Sequence, residues 1–385
     1  MDSSSPHVQS TKKITMEFTV SSALLSQQLT AISGVITRNP VVPILENFLF
    51  QIDHNRLVVT ASDLQTSISA ALAIQSDAQV SVAIPARMLL DTVKHLPEQP
   101  IRLEINPNAY TVSIQSDSGQ YKLAGESAND FPQLATLEDG ITLEVEVEVL
   151  KNILQKTLFA TSNDELKPAM SGLYIELTHA MATFVATDGH RLVRYIREDL
   201  SASTQSPIIV PKKALLLLNG LLSGRDKQVG FMFDRHKIQF SIGNISVVSR
   251  LVDERYPDYE NVIPKEHTSK LAISRPALVS ALRRAAIYAN KATHQVKLNL
   301  VDNQLTISAE DLDFSNEAQE QLICTYEGLP LEIGFNAKLL LDMLTSILTE
   351  EVEFFFWGAN KAVLIFPKVQ NKQEHLLLLI MPIIF

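Results

Sequence analysis

Asp188 and His190, separated by one glycine, are the strongest candidates in this sequence for chemistry of its own. A carboxylate and an imidazole held within hydrogen-bond reach can act as an acid and base pair, so a hydrolase is one reading. The competing reading is a turn. The residues before Asp188 alternate as a strand does, and Asp63 and Asp311 follow similar segments elsewhere, which favours a structural aspartate. Nothing else reinforces catalysis: there is no phosphate-cradling Gly-rich loop ending in Lys, no His-Glu-x-x-His and no Gly-x-Ser-x-Gly. The nine histidines are scattered and none pairs at helical ligand spacing, so no metal and no cofactor are expected. Cys324, the single cysteine, can form neither an internal disulfide nor a site of several thiolates, which fits a reducing cytoplasm.

The elements that would position these residues recur. Phe18-Thr-Val20 followed by Leu25 and Leu29 returns as Leu143-Glu-Val145 with Leu150 and Leu154, then as Leu271-Ala-Ile273 with Leu278 and Leu282. Alternating strands end in an acidic turn at Asp63, Asp188 and Asp311, and each copy closes on an apolar residue and a proline at Pro132, Pro257 and Pro382, spaced by 125 residues. So long a period marks whole domains rather than solenoid units, which run about 20 to 50 residues. Strand-like alternation dominates, as in Val80–Ile84, Ile101–Ile105, Ile238–Ile242 and Val296–Leu300. Two stretches per copy carry helical spacing: 22–36 and 86–96, 148–158 and 212–222, 275–289 and 336–348. The expected fold class is α+β, three tandem copies of antiparallel sheet with two helices each. The expected boundaries are a polar N-terminal extension at 1–15, then domains at 16–138, 139–266 and 267–385. The extension lacks the apolar stretch of a secretory signal, and the apolar run 376–385 is about half a membrane span, so no membrane partner is expected.

Charge is segregated. The chain carries −10 overall, which argues against a protein that coats nucleic acid with its whole surface. Yet the six helical stretches hold ten basic and three acidic residues, a balance of +7, which leaves −17 elsewhere. Good helix formers on solvated faces would explain part of this. The segregation itself, without interleaved aromatics, suits the phosphate backbone of duplex DNA bound without sequence preference. An acidic remainder would repel DNA from other surfaces.

Ala186-Thr-Asp-Gly-His-Arg-Leu192 resembles the second-domain motif of the bacterial DNA polymerase III beta subunits, the beta sliding clamps. Pro43-Ile-Leu45 with Asn47, Ile84-Pro-Ala-Arg87, Ile209-Val-Pro-Lys-Lys213, Tyr256-Pro-Asp-Tyr259 and Glu332-Ile-Gly-Phe-Asn336 match in the same order, so the resemblance covers Met16 to Phe385. It implies a head-to-tail homodimer whose six domains close a ring around double-stranded DNA, with no catalysis of its own. It also implies partners, namely a DNA polymerase catalytic subunit, a clamp loader and repair proteins, that dock through short linear motifs. On matching positions, Arg38, Arg87, Lys151, Lys212, Lys213, Arg275, Arg283 and Arg284 would contact DNA. Tyr121, Lys122 and Leu123 would form one side of the dimer interface, and Ile287 and Tyr288 the other. The partner pocket would comprise Met170, Thr187, Gly189, His190, Arg191, Leu192, Pro257, Val262, Asn336, Leu379, Met381, Pro382 and Ile383. Most of these are apolar, as a peptide anchor needs, although core packing is the plain alternative for each.

The chain departs from the pattern at several points. Glu165–Gly172 replaces the expected acidic-Arg-Pro-Leu-Asn-Gly stretch, Thr293 stands where an aromatic is expected, Asn261 where a basic residue is expected, and the tail Ile383-Ile-Phe385 is more apolar. Partner preference should therefore differ while the ring should not. A repeat protein that only scaffolds other proteins remains an alternative, distinguished by DNA-dependent retention. Trp357, beside Phe354–Phe356, reads as core or edge packing.

Overall fold

The computed structural model describes residues 16–132, 136–202, 205–222 and 226–384; the extension expected at 1–15 and the terminal Phe385 lie outside them. The first copy runs β1 (Met16–Ser21), α1 (Ser22–Ile32), β2 (Asn47–Asp53), β3 (Arg56–Ser62), β4 (Thr66–Ala73), β5 (Gln79–Pro85), α2 (Ala86–Lys94), β6 (Pro100–Asn106), β7 (Thr111–Gln115), β8 (Gln120–Ala124) and β9 (Glu126–Ser127). The second runs β10 (Ile141–Glu146), α3 (Val147–Thr157), β11 (Gly172–Leu177), β12 (Ala182–Thr187), β13 (Arg191–Arg197), β14 (Ser206–Pro211), α4 (Lys212–Leu221), β15 (Gln228–Phe233), β16 (Lys237–Ile242) and β17 (Ile245–Arg250). The third runs β18 (Ser269–Ser274), α5 (Arg275–Ala285), β19 (Gln295–Val301), β20 (Gln304–Asp311), β21 (Asn316–Ile323), β22 (Thr325–Glu327), β23 (Leu331–Asn336), α6 (Ala337–Ser346), β24 (Glu351–Phe356), β25 (Val363–Pro367) and β26 (Glu374–Ile380). Each copy is thus strand, helix, four strands, helix, three strands, with the short β9 and β22 as additions.

Local chemistry sets the helix limits. Ser21 accepts from Leu24 N before α1, and Asn336 accepts from Lys338 N and Leu339 N before α6, satisfying amides that a helix start leaves unpaired. Two helices stop four residues short of the stretches with helical spacing, the others one or two. α1 gives way at Ser33–Val35, and α5 at Ala286–Tyr288, to single 3-10 turns, which tighten the last turn and satisfy terminal carbonyls.

The chain divides into two compact units. One comprises Met1–Glu138, Gly220–Gly230 and Gln239–Ser249; the other comprises Asp139–Asn219, Phe231–Ile238 and Arg250–Phe385. In the first unit, β1-β6-β7-β8 form a sheet that ends on β8, and a second run is ordered β17-β4-β3-β2-β5-β9. β17 belongs to the second copy by sequence but pairs with β4 from Ile245↔Ala70 to Ser249↔Thr66. Leu25, Leu29 and Ile32 of α1 and Leu89 of α2 are fully buried in this unit.

The second unit holds a nine-stranded sheet ordered β14-β11-β12-β13-β26-β25-β24-β18-β22 and a four-stranded sheet, β21-β20-β19-β23, that ends on β21. Here β13 of the second copy pairs with β26 of the third, from Arg191↔Ile380 to Arg197↔Glu374. Every residue of β12 is buried, because both faces are covered. One face meets α3. Across the other lies the connector after β17, whose Tyr256 packs with Val185, Leu192, Ile209, Leu364, Leu377 and Leu379. Among the described residues, no helix is long and apolar enough to cross a membrane.

Candidate functional site

The turn between β12 and β13 is built by its own side chains. Asp188 Oδ1 accepts from His190 N at 2.9 Å and Arg191 N at 3.0 Å, while Oδ2 accepts from Arg191 Nε at 3.0 Å. Thr187 Oγ1 accepts from Gly189 N and donates to Arg191 O at 2.7 Å. Gly189 has φ +91°, a conformation costly to a residue with a Cβ. Both oxygens of Asp188 are therefore occupied, and no hydrogen bond joins it to the His190 ring. The acid and base reading gives way to the turn. Asp63 repeats the device, accepting from Gln65 N and Thr66 N, and Asp311 accepts from Asp313 N. No group of three His, Cys, Asp or Glu among the described residues could hold a metal ion.

Pairing of β13 with β26 sets Leu192 opposite Leu379. Past the end of β26, Met381 N donates to His190 O at 2.8 Å and Ile383 N to Gly334 O at 2.8 Å, so the tail is tied to both the β12–β13 turn and β23. Pro382 lies between those two anchors. Asn336, two residues beyond Gly334, caps α6 and donates through Nδ2 to Thr293 O at 3.1 Å. The connector is fixed by Tyr256, whose hydroxyl donates to Val185 O at 3.2 Å and whose ring stacks on Tyr174 at 4.8 Å. This holds Pro257 beside the apolar face.

The expected pocket residues differ in burial. Thr187, Leu192 and Leu379 are buried; Gly189 and His190 are exposed, as are Met381 (43%) and Val262 (52%). Met170 is half-buried in a 3-10 turn, where Ser162 N donates to its carbonyl at 2.9 Å, and its neighbour Ala169 packs against the apolar face. Arg191 is buried and committed inward: besides Asp188, it donates through Nη1 to Asp342 Oδ2 at 2.8 Å and through Nη2 to Phe159 O at 2.6 Å. These contacts support the turn. Sequence reasoning missed Tyr174, Arg194 and the connector ring Tyr259, which lie on or over the same face. Period-two spacing from Leu192 along β13 was the available signal for Arg194.

The basic helix residues are not equivalent. Arg87, Lys213 and Arg283 are exposed on α2, α4 and α5, and Arg38 is exposed after α1. Lys151 pairs with Glu148 at 2.9 Å, and Arg284 forks onto Glu320 at 2.6 and 2.7 Å. Arg275 Nε donates to Thr349 O at 2.6 Å. Lys212 Nζ donates to Asn163 Oδ1 at 2.8 Å, and burial, followed by the nearby Arg191 charge, holds its pKa below the ordinary lysine value. Arg38 and Arg87 fall in the first unit and the other six in the second.

Lys156 contributes to the helix charge but points into the protein, where its Nζ reaches Glu374 Oε2 at 2.8 Å. Tyr195 OH donates to the same oxygen at 2.6 Å, and Arg197 Nη1 reaches Glu374 Oε1 at 3.3 Å. Burial alone would raise the Glu374 carboxyl, but hydrogen bonds from Lys156, Tyr195 and Asn371 outweigh it and bring its pKa down to about 2. This network joins α3 and β13 to the start of β26.

At the two terminal sheet edges, Tyr121 is 38% exposed, Lys122 is exposed and Leu123 is buried on β8; Ile287 (76%) and Tyr288 (43%) stand out from the 3-10 turn that follows α5. That turn packs against β21.

The chain matches the DNA polymerase III beta subunit over all three domains: the N-terminal domain over residues 16–135, the central domain over 144–258 and the C-terminal domain over 260–383. It is 32% identical to the beta sliding clamp of Synechococcus elongatus over 368 residues, covering 93% of this chain and 96% of that protein. It is 30% identical to the beta sliding clamp of Pseudomonas putida over 352 residues, covering 91% and 95%. The crystal structure of a sliding clamp from Bartonella birtlesii, a DNA polymerase III subunit beta bound to griselimycin, matches with a TM-score of 0.89 and 30% identity, covering 96% of this chain and all of that one. Three tandem domains, a turn in place of a catalytic pair, and matches along nearly the whole length agree: the chain belongs to the DNA polymerase III beta subunit family, the beta sliding clamps, and is a DNA sliding clamp without catalysis of its own.

Proposed function

We propose that this clamp closes as a head-to-tail homodimer around duplex DNA and tethers a DNA polymerase catalytic subunit, a clamp loader and repair proteins by their short linear motifs. The observation that carries the proposal is the pairing of equivalent strands. β4 and β13 hold the same place in the first and second copies, and they pair with β17 and β26, the last strands of the second and third. By the repeat, β21 corresponds to β4 and β13, and β8 to β17 and β26. Both are sheet ends. A second chain would supply the missing pair twice, leaving no such edge open, with Tyr121, Lys122 and Leu123 on one side and Ile287 and Tyr288 on the other. The domains would be 16–138, 139–266 and 267–385, in a cytoplasmic protein.

In such a ring, DNA is held by topology. Arg38, Arg87, Lys151, Lys212, Lys213, Arg275, Arg283 and Arg284 would make phosphate contacts weak enough to exchange along the duplex. Tethering raises the effective concentration of the polymerase at the primer end. The face bearing Leu192 and Leu379, rimmed by Met170, Pro257, Val262, Met381 and Ile383, would seat the partner motif; the adaptable methionines suit several partners. The test is retention of loaded clamp on closed circular DNA and its loss once the DNA is cut. Equal retention on both forms would overturn the ring.

A further inference from the structure

Arg194 stands two residues beyond Leu192 on β13, so strand alternation puts both side chains on the outer face of the sheet. The register sets it between Val185 of β12 and Leu377 of β26, both apolar. Arg191 and Arg197 on the same strand have carboxylate partners. Arg194 has none: it makes no hydrogen bond or ion pair with any described residue, and its Nε is buried without an acceptor. The residue as a whole is half-buried, so a ligand can still reach the guanidinium. Tyr259 of the connector lies within its electrostatic reach. At Asn261, where the family resemblance led to the expectation of a basic residue, a neutral amide is instead tied to Asp258 Oδ2 at 2.7 Å. A guanidinium offers a planar fork of donors that fits a carboxylate, and apolar walls strengthen such a pair by excluding water.

We propose that Arg194 is a specificity-determining residue of the partner pocket, selecting segments that carry an acidic side chain about 7 Å from the apolar side chain seated over Leu192 and Leu379. This rests on the reading of that face as the partner pocket. Bound peptide would bring the acceptor that Arg194 lacks. An acidic segment would also be disfavoured elsewhere on a chain of net charge −10, which sharpens the choice of this one cation.

The test uses the full-length protein and fluorescein-labelled hexapeptides, amidated at the C-terminus to remove that carboxylate. Each has two leucine anchors and one aspartate moved through the remaining positions, with an asparagine twin and a twin in which alanine replaces the leucines. Fluorescence anisotropy should show at least one position where the aspartate peptide binds wild type tenfold or more tightly than its asparagine twin. That ratio should fall below twofold in R194Q and be partly kept in R194K, while the asparagine peptide binds wild type and R194Q alike, showing that the pocket is intact. A ratio below twofold at every position, or one unchanged by R194Q, overturns the role of Arg194 while leaving the pocket. If the alanine twins bind as well as the leucine peptides, the pocket reading itself fails.

Discussion

The β3–β4 turn of the first copy and the β12–β13 turn of the second use the same chemistry to opposite ends. In each, an aspartate caps two backbone amides, and the hydroxyl before it, Ser62 or Thr187, accepts from one amide and donates to a carbonyl four residues on. In each, the residue after the aspartate has positive φ, +77° at Leu64 and +91° at Gly189. Leu64 packs against Ile44, Leu45, Leu49, Ala83 and Phe131, the last being the counterpart of Tyr256. At Gly189, a Cβ would meet nothing within 4 Å. One residue therefore separates a turn packed against an apolar cluster from one that faces open space. A leucine tolerates the left-handed conformation, at roughly 1–2 kcal/mol, because its side chain is repaid by burial.

The two cross-copy strand pairs differ as well. β4 and β17 meet through hydroxyls, Thr66 to Ser249 at 3.2 Å, whereas β13 and β26 meet through the ionised Lys156–Glu374–Arg197 network. The Glu374 carboxylate gives the second pair a charge to lose to acid.

The largest effect expected from this contrast is beside the open turn. Deleting residues 381–385 removes the tail that His190 O and Gly334 O hold, and partner-peptide binding should weaken at least a thousandfold, about 4 kcal/mol. The molecular mass in solution should stay that of the dimer; unchanged peptide affinity would refute the pocket assignment. Next comes acid sensitivity. The Glu374 carboxyl is depressed to about 2 from its usual value, so its contribution is complete above the unfolded pKa near 4.5 and is lost as pH falls from there towards 2. On the order of 3 kcal/mol should disappear over that window in denaturant titrations. Glu374→Gln should flatten the dependence, and a variant as acid-sensitive as wild type would sink this account.

Gly189→Leu makes the open turn resemble the packed one. It should cost about 1–2 kcal/mol of stability, since φ +91° is strained and no packing offsets it, and should weaken peptide binding roughly tenfold by covering the rim. The smallest effect belongs to Leu64→Gly, where relief of strain opposes lost packing; thermal unfolding should show a net loss of about 1 kcal/mol. A stabilised variant would mean that strain, not burial, dominates there.

Much of this was legible in local sequence. The repeat, the two helices per copy and the acidic turns follow from apolar spacing and from aspartate's habit of capping nearby amides, which act within a few residues. Leu192 and Leu379 entered the proposed pocket only through resemblance, because by spacing alone both read as core. Arg191 and Lys156, basic by type, turned out to be internal supports. Helix ends at Ile32 and Ala285 were missed because a 3-10 turn continues the same apolar spacing for another three residues.

The sequence by itself determined three copies of one domain, their turns, and a helix set that is basic in an acidic chain, because these depend on residue type and short-range spacing. Only the tertiary structure decided that the last strand of one copy completes the sheet of another, that the chain therefore divides into two units, and which cations remain unpaired. Strand pairing across copies is made by backbone groups that every residue carries, so side-chain pattern alone does not specify the partner.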